Sequence, residues 1–198
     1  VQPRTTRLRA PRRGAAGTLR CLGGFQLLHG DASTDLASLR PQARLLLMRL
    51  AIEHGTDIHR EHLIDALWPD AGLPAGLRRL QVAVSSIRQF LDHAGWGDGC
   101  LVRQGDAYRL QLPGVEFDVH QLEATITEIA RTAHRQPDGW VEQQSAALIE
   151  LYRGELLPET GAAEWVLSER DRLRLTTASA LATPTEMVTS SGEDRREV

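Results

Sequence analysis

The apolar residues Leu77, Leu80, Val84, Ile87 and Leu91 recur at intervals of three, four, three and four, the period of a helix packed on one side. That spacing predicts an amphipathic helix whose opposite face carries Arg78, Arg79, Gln81, Ser85, Ser86 and Arg88. Upstream, Thr18–Leu28 alternates and breaks at Gly23 and Gly24, which predicts two short strands and a turn, with another strand near Leu36. Pro41 suits the first turn of a helix. Leu45, Leu46, Leu47, Met48, Leu50 and Ile52, within Arg44–His54, predict one buried on more than one side and ended by Gly55. Leu63, Ile64 and Leu67 predict a second short helix over Arg60–Leu67, stopping where Trp68 precedes Pro69. Pro69, Gly72, Pro74 and Gly76 make the next segment a loop. Beyond the long helix, Gly95–Gly99 reads as a turn, and Leu101–Arg103 and Tyr108–Leu112 read as strands joined through Gln104, Gly105, Asp106 and Ala107.

The second half keeps the helical period. Val119, Leu122, Ile126, Ile129 and Ala133 follow Asp118, a suitable N-cap, and Val141, Ser145, Leu148 and Tyr152 follow a break at Pro137–Gly139. A third helix over Glu164–Ala182 carries Trp165, Leu173 and Leu181, with a charged cluster of Glu169, Arg170, Asp171, Arg172 and Arg174. Such helices pack as antiparallel hairpins, and the cluster reads as a solvated face held by intrahelical ion pairs.

Charge divides the 198 residues in the same place. Residues 1–113 hold 15 Arg against 10 acidic residues, a balance of +5, whereas residues 114–198 hold 8 Arg against 16, a balance of −8. All 23 basic residues are Arg, suited to bidentate contacts. The first residues, with Arg4, Arg7, Arg9, Arg12 and Arg13, read as a flexible basic arm without the apolar core of a signal peptide. The two cysteines, Cys21 and Cys100, form no CxxC pair and read as buried apolar side chains in a reducing cytoplasm. No apolar run reaches the length of a membrane span. His54, His59, Glu61 and His62 lack the i, i+4 histidine spacing of a metalloprotease helix, and neither a phosphate-binding loop nor a nucleophile elbow occurs, so neither metal, cofactor nor enzyme chemistry is expected.

The polar face over 78–88 carries groups that donate to phosphates and guanine edges or pair with adenine, and the two strands behind it suit a wing. Together they read as a DNA-reading helix with its wing; the helix taken alone also fits a solvated surface.

Particular stretches extend this. His62–Trp68, reading HLIDALW, resembles the RLIDALW signature of the Streptomyces antibiotic regulatory protein family, and Leu80–Arg88 resembles its LQVYVSRLR recognition helix. Leu101–Arg103 and Tyr108–Leu110 are similar to its wing, Phe117–Glu123 to the start of its second domain, and Leu151–Pro158 and Trp165–Arg174 to its LYRGELLP and W…ERxRLR segments. The resemblance covers residues 18–182. It implies a mainly α fold with a small β part: an OmpR-type winged helix-turn-helix over 18–113, then a truncated all-α, tetratricopeptide-like bacterial transcriptional activation domain over 114–182. A basic arm over 1–17 and a polar tail over 183–198 flank them.

The function implied is a cytoplasmic, nucleoid-associated activator of a biosynthetic gene cluster. It would bind promoter repeats in double-stranded DNA as a homodimer, without a membrane, and help recruit RNA polymerase holoenzyme. Position by position, Gln81, Ser85 and Arg88 match the recognition helix, Arg103 and Tyr108 the wing, and Arg44 the basic residue of the first helix. Arg78, Arg79, Ser86 and Arg109 complete the expected DNA-binding set. Arg78 and Arg79 stand where relatives carry small polar residues, which points to different bases or a firmer grip on the backbone. Asp106 brings a negative charge to the wing. The charged cluster of the last helix has a second reading as a polymerase contact, and apolar surface left uncovered there suggests dimerisation. Residues 18–113 are expected to bind DNA alone. The competing reading is a helical protein-interaction module, or a repressor, with no activating role.

Overall fold

The computed structural model describes residues 17–29, 32–133 and 139–193, without side chains at 32, 98 and 183–193. The basic arm up to residue 16, most of the Pro137–Gly139 break and the last five residues of the tail lie outside the described residues.

The alternating start forms β1 (Gly17–Arg20) and β2 (Gln26–His29), antiparallel with Leu19 opposite Leu27, and β3 (Ala32–Ser33) adds to β2. Near Leu36 the chain makes a single 3-10 turn, Leu36–Ser38, in place of the expected strand. The Asp35 carboxylate accepts the Ala37 amide at 2.8 Å, a local bond that competes with strand pairing. Helix α1 (Pro41–Ile52) buries Ala43, Leu46, Leu47, Met48, Leu50 and Ala51, more than one stripe, as its leucine density predicts.

A short strand that the sequence pattern does not reveal, β4 (Ile58–His59), leads into α2 (Arg60–Leu67). Helix α3 (Leu73–His93) begins before Leu77, so the predicted loop shortens. Pro74 lies in the first turn, where its missing N–H breaks no helical bond, and Gly76 is inside the helix rather than a breaker. An added Cβ at Gly76 would lie 2.4 Å from Ile64 Cγ2, so the glycine sets how closely α3 approaches α2.

Leu80, Val84, Ile87 and Leu91 are buried and Leu77 is half-buried, which seats α3 against α1 and α2. Beyond the turn, β5 (Leu101–Gln104) and β6 (Ala107–Leu110) pair so that Gln104 faces Ala107. Only Gly105 and Asp106 turn the chain, with Gly105 at φ +57°. Strand β4 pairs with β6 to give the order β4-β6-β5.

Strand β7 (Val115–Phe117) returns to the first sheet and lies parallel to β1, closing the order β3-β2-β1-β7. Helices α4 (Asp118–Thr132), α5 (Trp140–Leu151) and α6 (Glu164–Glu193) then pack on one another. Val119, Leu122, Ile129 and Ala133 are buried with Ile126 half-buried, while α5 buries Leu148 alone and half-buries Val141, Ser145 and Tyr152. Helix α6 buries Val166, Leu173, Thr177 and Ala180 and continues past Ala182 to Glu193.

The two halves share a polar junction. Asp118 follows the cap residue Phe117 and serves no N-cap role; its buried carboxylate accepts the Cys21 amide at 2.9 and 3.0 Å, the Leu22 amide at 3.0 Å and Arg153 Nη2 at 2.8 Å. Burial pushes this carboxyl above its ordinary pKa, against the pull of the Leu22 and Cys21 amides and the Arg153 guanidinium. The Leu157 amide donates to the Cys21 carbonyl at 2.7 Å, the Gly23 amide to Glu155 at 2.8 Å and the Phe25 amide to Glu159 Oε1 at 2.8 Å. Leu157, fully buried, is held at φ +47°, a left-handed conformation that costs a branched residue energy. Arg170, expected on a solvated face, instead donates to the Leu156 and Leu157 carbonyls at 2.7 and 2.6 Å and fixes this loop.

Candidate nucleic-acid interface

At 100° per residue, the buried stripe of α3 leaves an outward arc holding Arg78, Arg79, Gln81, Val82, Ser85, Ser86 and Gln89. All are exposed except Ser86, which is half-buried. The arc forms one wall of a groove of about 660 Å³ that is also lined by the start of α1, Arg40, Pro41 and Gln42, and by Trp68. A second concavity, of about 580 Å³, continues along the same face past Gln81, Ser85 and Gln89.

The guanidiniums of Arg40, Arg78 and Arg79 make no hydrogen bond or ion pair with the described residues, so three full charges and their donors face outward. Helix α1 adds to this field, because Arg40 caps it without a side-chain hydrogen bond and its first amides point out of its positive end. The arrangement offers cationic donors, an amide and hydroxyls on the outward side of a helix whose other side is packed on the body. Chemically, that suits a polyanion with hydrogen-bonding edges.

Five of the ten residues expected from sequence therefore share one surface: Arg78, Arg79, Gln81, Ser85 and Ser86. The others are placed differently. Arg88 turns to the wing, donating from Nε and Nη2 to the Leu101 carbonyl at 3.1 and 3.0 Å, which ties α3 to β5. Arg44 is half-buried and donates from Nη2 to the Leu36 carbonyl at 2.9 Å. Tyr108, 5% exposed, belongs to the core. Arg109 pairs with Asp57, its Nε donating to Oδ1 at 2.9 Å, and holds that carboxyl below its usual pKa chiefly through this hydrogen bond. Arg44, Arg88 and Tyr108 are drawn into the fold by a carbonyl or the core, whereas Arg109 is engaged by Asp57 in an ion pair at the surface.

Arg103 is the exposed cation of the wing, its Nε donating to the Gly105 carbonyl at 2.9 Å. The negative charge expected from Asp106 is matched from the start of α2, since Arg60 Nη1 lies 2.6 Å from Asp106 Oδ1. Sequence reasoning missed Arg40, Val82 and Gln89. Arg40 was detectable as the residue preceding a helix-starting proline, and Val82 as an apolar residue on the polar side of the α3 stripe.

A three-helix body with an outward third helix and a three-stranded wing is a winged helix-turn-helix, here joined to a helical module through a four-stranded sheet. The same fold occurs in EmbR of Mycobacterium tuberculosis, in a structure of that protein in complex with a low-affinity phosphopeptide. The similarity has a TM-score of 0.69 at 23% sequence identity, and covers 83% of this chain and 43% of that one, so this chain spans less than half the length of that neighbour. No protein-family model and no curated protein matches the chain. None of the described helices is long and apolar enough to cross a membrane.

Proposed function

We propose that this chain is a transcriptional regulator of the Streptomyces antibiotic regulatory protein type. In this reading it binds promoter repeats of a biosynthetic gene cluster as a homodimer on DNA, and it activates transcription by helping to recruit RNA polymerase holoenzyme. One observation carries the proposal: the outward arc of α3 presents Arg78, Arg79, Gln81, Ser85 and Ser86 beside the positive end of α1, with its guanidiniums unpaired among the described residues. Arg78, Gln81 and Ser85 would meet base edges. Arg40, Arg79 and the first amides of α1 would meet phosphates, and Arg103 would follow an adjacent groove. Arg44, Arg88, Tyr108 and Arg109 hold these elements in place.

Fluorescence anisotropy of the full chain on promoter fragments beside its native gene tests the proposal. With about five phosphate contacts, log affinity should fall against log salt with a slope near −4 to −5. Arg78→Ala should weaken binding about tenfold or more without moving the unfolding midpoint. Arg88→Ala should instead cost roughly 1.5–3 kcal/mol of stability, because a charge-assisted pair of hydrogen bonds is lost. Absence of binding to every fragment, or binding indifferent to salt, rejects the proposal.

A further inference from the structure

Val82 stands at the centre of the outward arc of α3 and is 59% exposed. Arg78 and Ser86 lie one turn to either side, and Val82 lines both concavities, adding to the apolar lining that Pro41, Ala83 and Trp68 give the larger one. A β-branched residue there contributes neither helix propensity nor core packing. Its chemistry is therefore directed at what fills the groove. The rim of Arg40, Arg78 and Arg79 calls for a polyanion, and the centre calls for an apolar contact. A second copy of this chain seated on the same face would oppose those guanidiniums to themselves across a two-fold axis, at a repulsive cost. Duplex DNA meets both demands, because the only apolar group on a major-groove base edge is the C5-methyl of thymine.

Resting on the DNA-reading function proposed above, we infer that Val82 is a specificity-determining residue that packs on a thymine methyl at the centre of each bound site. Sequence preference is then set by an apolar contact at that position and by hydrogen bonds around it.

The test uses the full chain and the promoter fragment it protects in a footprint. Each thymine in the protected segment is replaced in turn by uracil, which removes the methyl group and leaves every hydrogen-bonding edge unchanged. Wild type should lose about fourfold in affinity at one thymine per half-site, the equivalent of one buried methyl. Val82→Ala, whose far-UV circular dichroism should match wild type and whose unfolding midpoint should be no lower, since Ala is the better helix former, should bind the unsubstituted fragment about as weakly as wild type binds that uracil fragment. It should lose nothing further when uracil is present. An undiminished uracil penalty in Val82→Ala, or no penalty at any thymine in wild type, overturns the inference while leaving DNA reading intact. Failure of wild type to bind any fragment removes the DNA-reading function itself, and this inference with it.

Discussion

His54 accepts the Leu112 amide through Nε2 at 3.1 Å, packs its ring on Phe117 with centroids 3.9 Å apart, and so closes the seam between the wing and β7. The bond requires a neutral ring with its proton on Nδ1. Burial, helped by the nearby His120, lowers the His54 pKa from 6.5 to about 4. A base with a depressed folded pKa stabilises the fold fully above its unfolded value. The contribution declines as pH falls from 6.5 toward 4, since over that span the unfolded chain binds the proton and the folded chain does not. After discounting for the half-exposed ring, the loss should be roughly 1–2 kcal/mol. Urea midpoints measured across this range should slope for wild type and be flatter for His54→Gln; equal slopes would remove His54 from the account.

Among the elements, α3 owes its position to a residue that reads in sequence as a loop former. Gly76 reads as a break because Gly72 and Pro74 precede it, yet Pro74 and Gly76 both lie in the helix, and the reason lies on α2. A Cβ at 2.4 Å from Ile64 Cγ2 is far inside the 3.5–4.0 Å at which carbon atoms rest. Gly76→Ala gains about 1 kcal/mol of helix propensity. Overpacking costs about 1–3 kcal/mol and should win, leaving the variant less stable in denaturant unfolding. Ile64→Ala in the same chain should relieve part of that cost, so the two changes should be less than additive; strict additivity would show that the contact does not govern the approach. The helices themselves were readable because their stripes repeat within a few residues. Strands β4 and β7, of two and three residues, are too short to show alternation and exist through their partners β6 and β1.

Across the whole molecule, the boundary expected near residue 113 runs through shared structure. Strand β7 completes the sheet that β1 begins, and Asp118 satisfies the Cys21 and Leu22 amides. Arg49 of α1 also stacks 5.8 Å from the Trp165 ring of α6. Asp118→Ala should therefore destabilise the intact chain by roughly 3 kcal/mol, because two buried amides and Arg153 lose their acceptor. A fragment ending at residue 113 should melt below the intact chain for the same reason. Unfolding of Asp118→Ala at the wild-type midpoint would show that the halves are energetically separate. On the far side of the junction, Leu167 and Leu175 of α6 are 42% and 65% exposed, so apolar surface on this helix is uncovered.

What the sequence determined by itself was local: the period of Leu80, Val84, Ile87 and Leu91 makes α3 a helix and sends Arg78, Arg79, Gln81 and Ser85 to its other side, because side-chain direction follows from spacing alone. The tertiary structure decided which cations remain available. Arg88 is next to the same arc in sequence but reaches the Leu101 carbonyl, Arg109 meets Asp57, and Arg40 joins the groove from another helix. The first two outcomes depend on which acceptor the fold brings within about 3 Å and the third on which helix end it sets beside α3, placements between separate elements that no local pattern encodes.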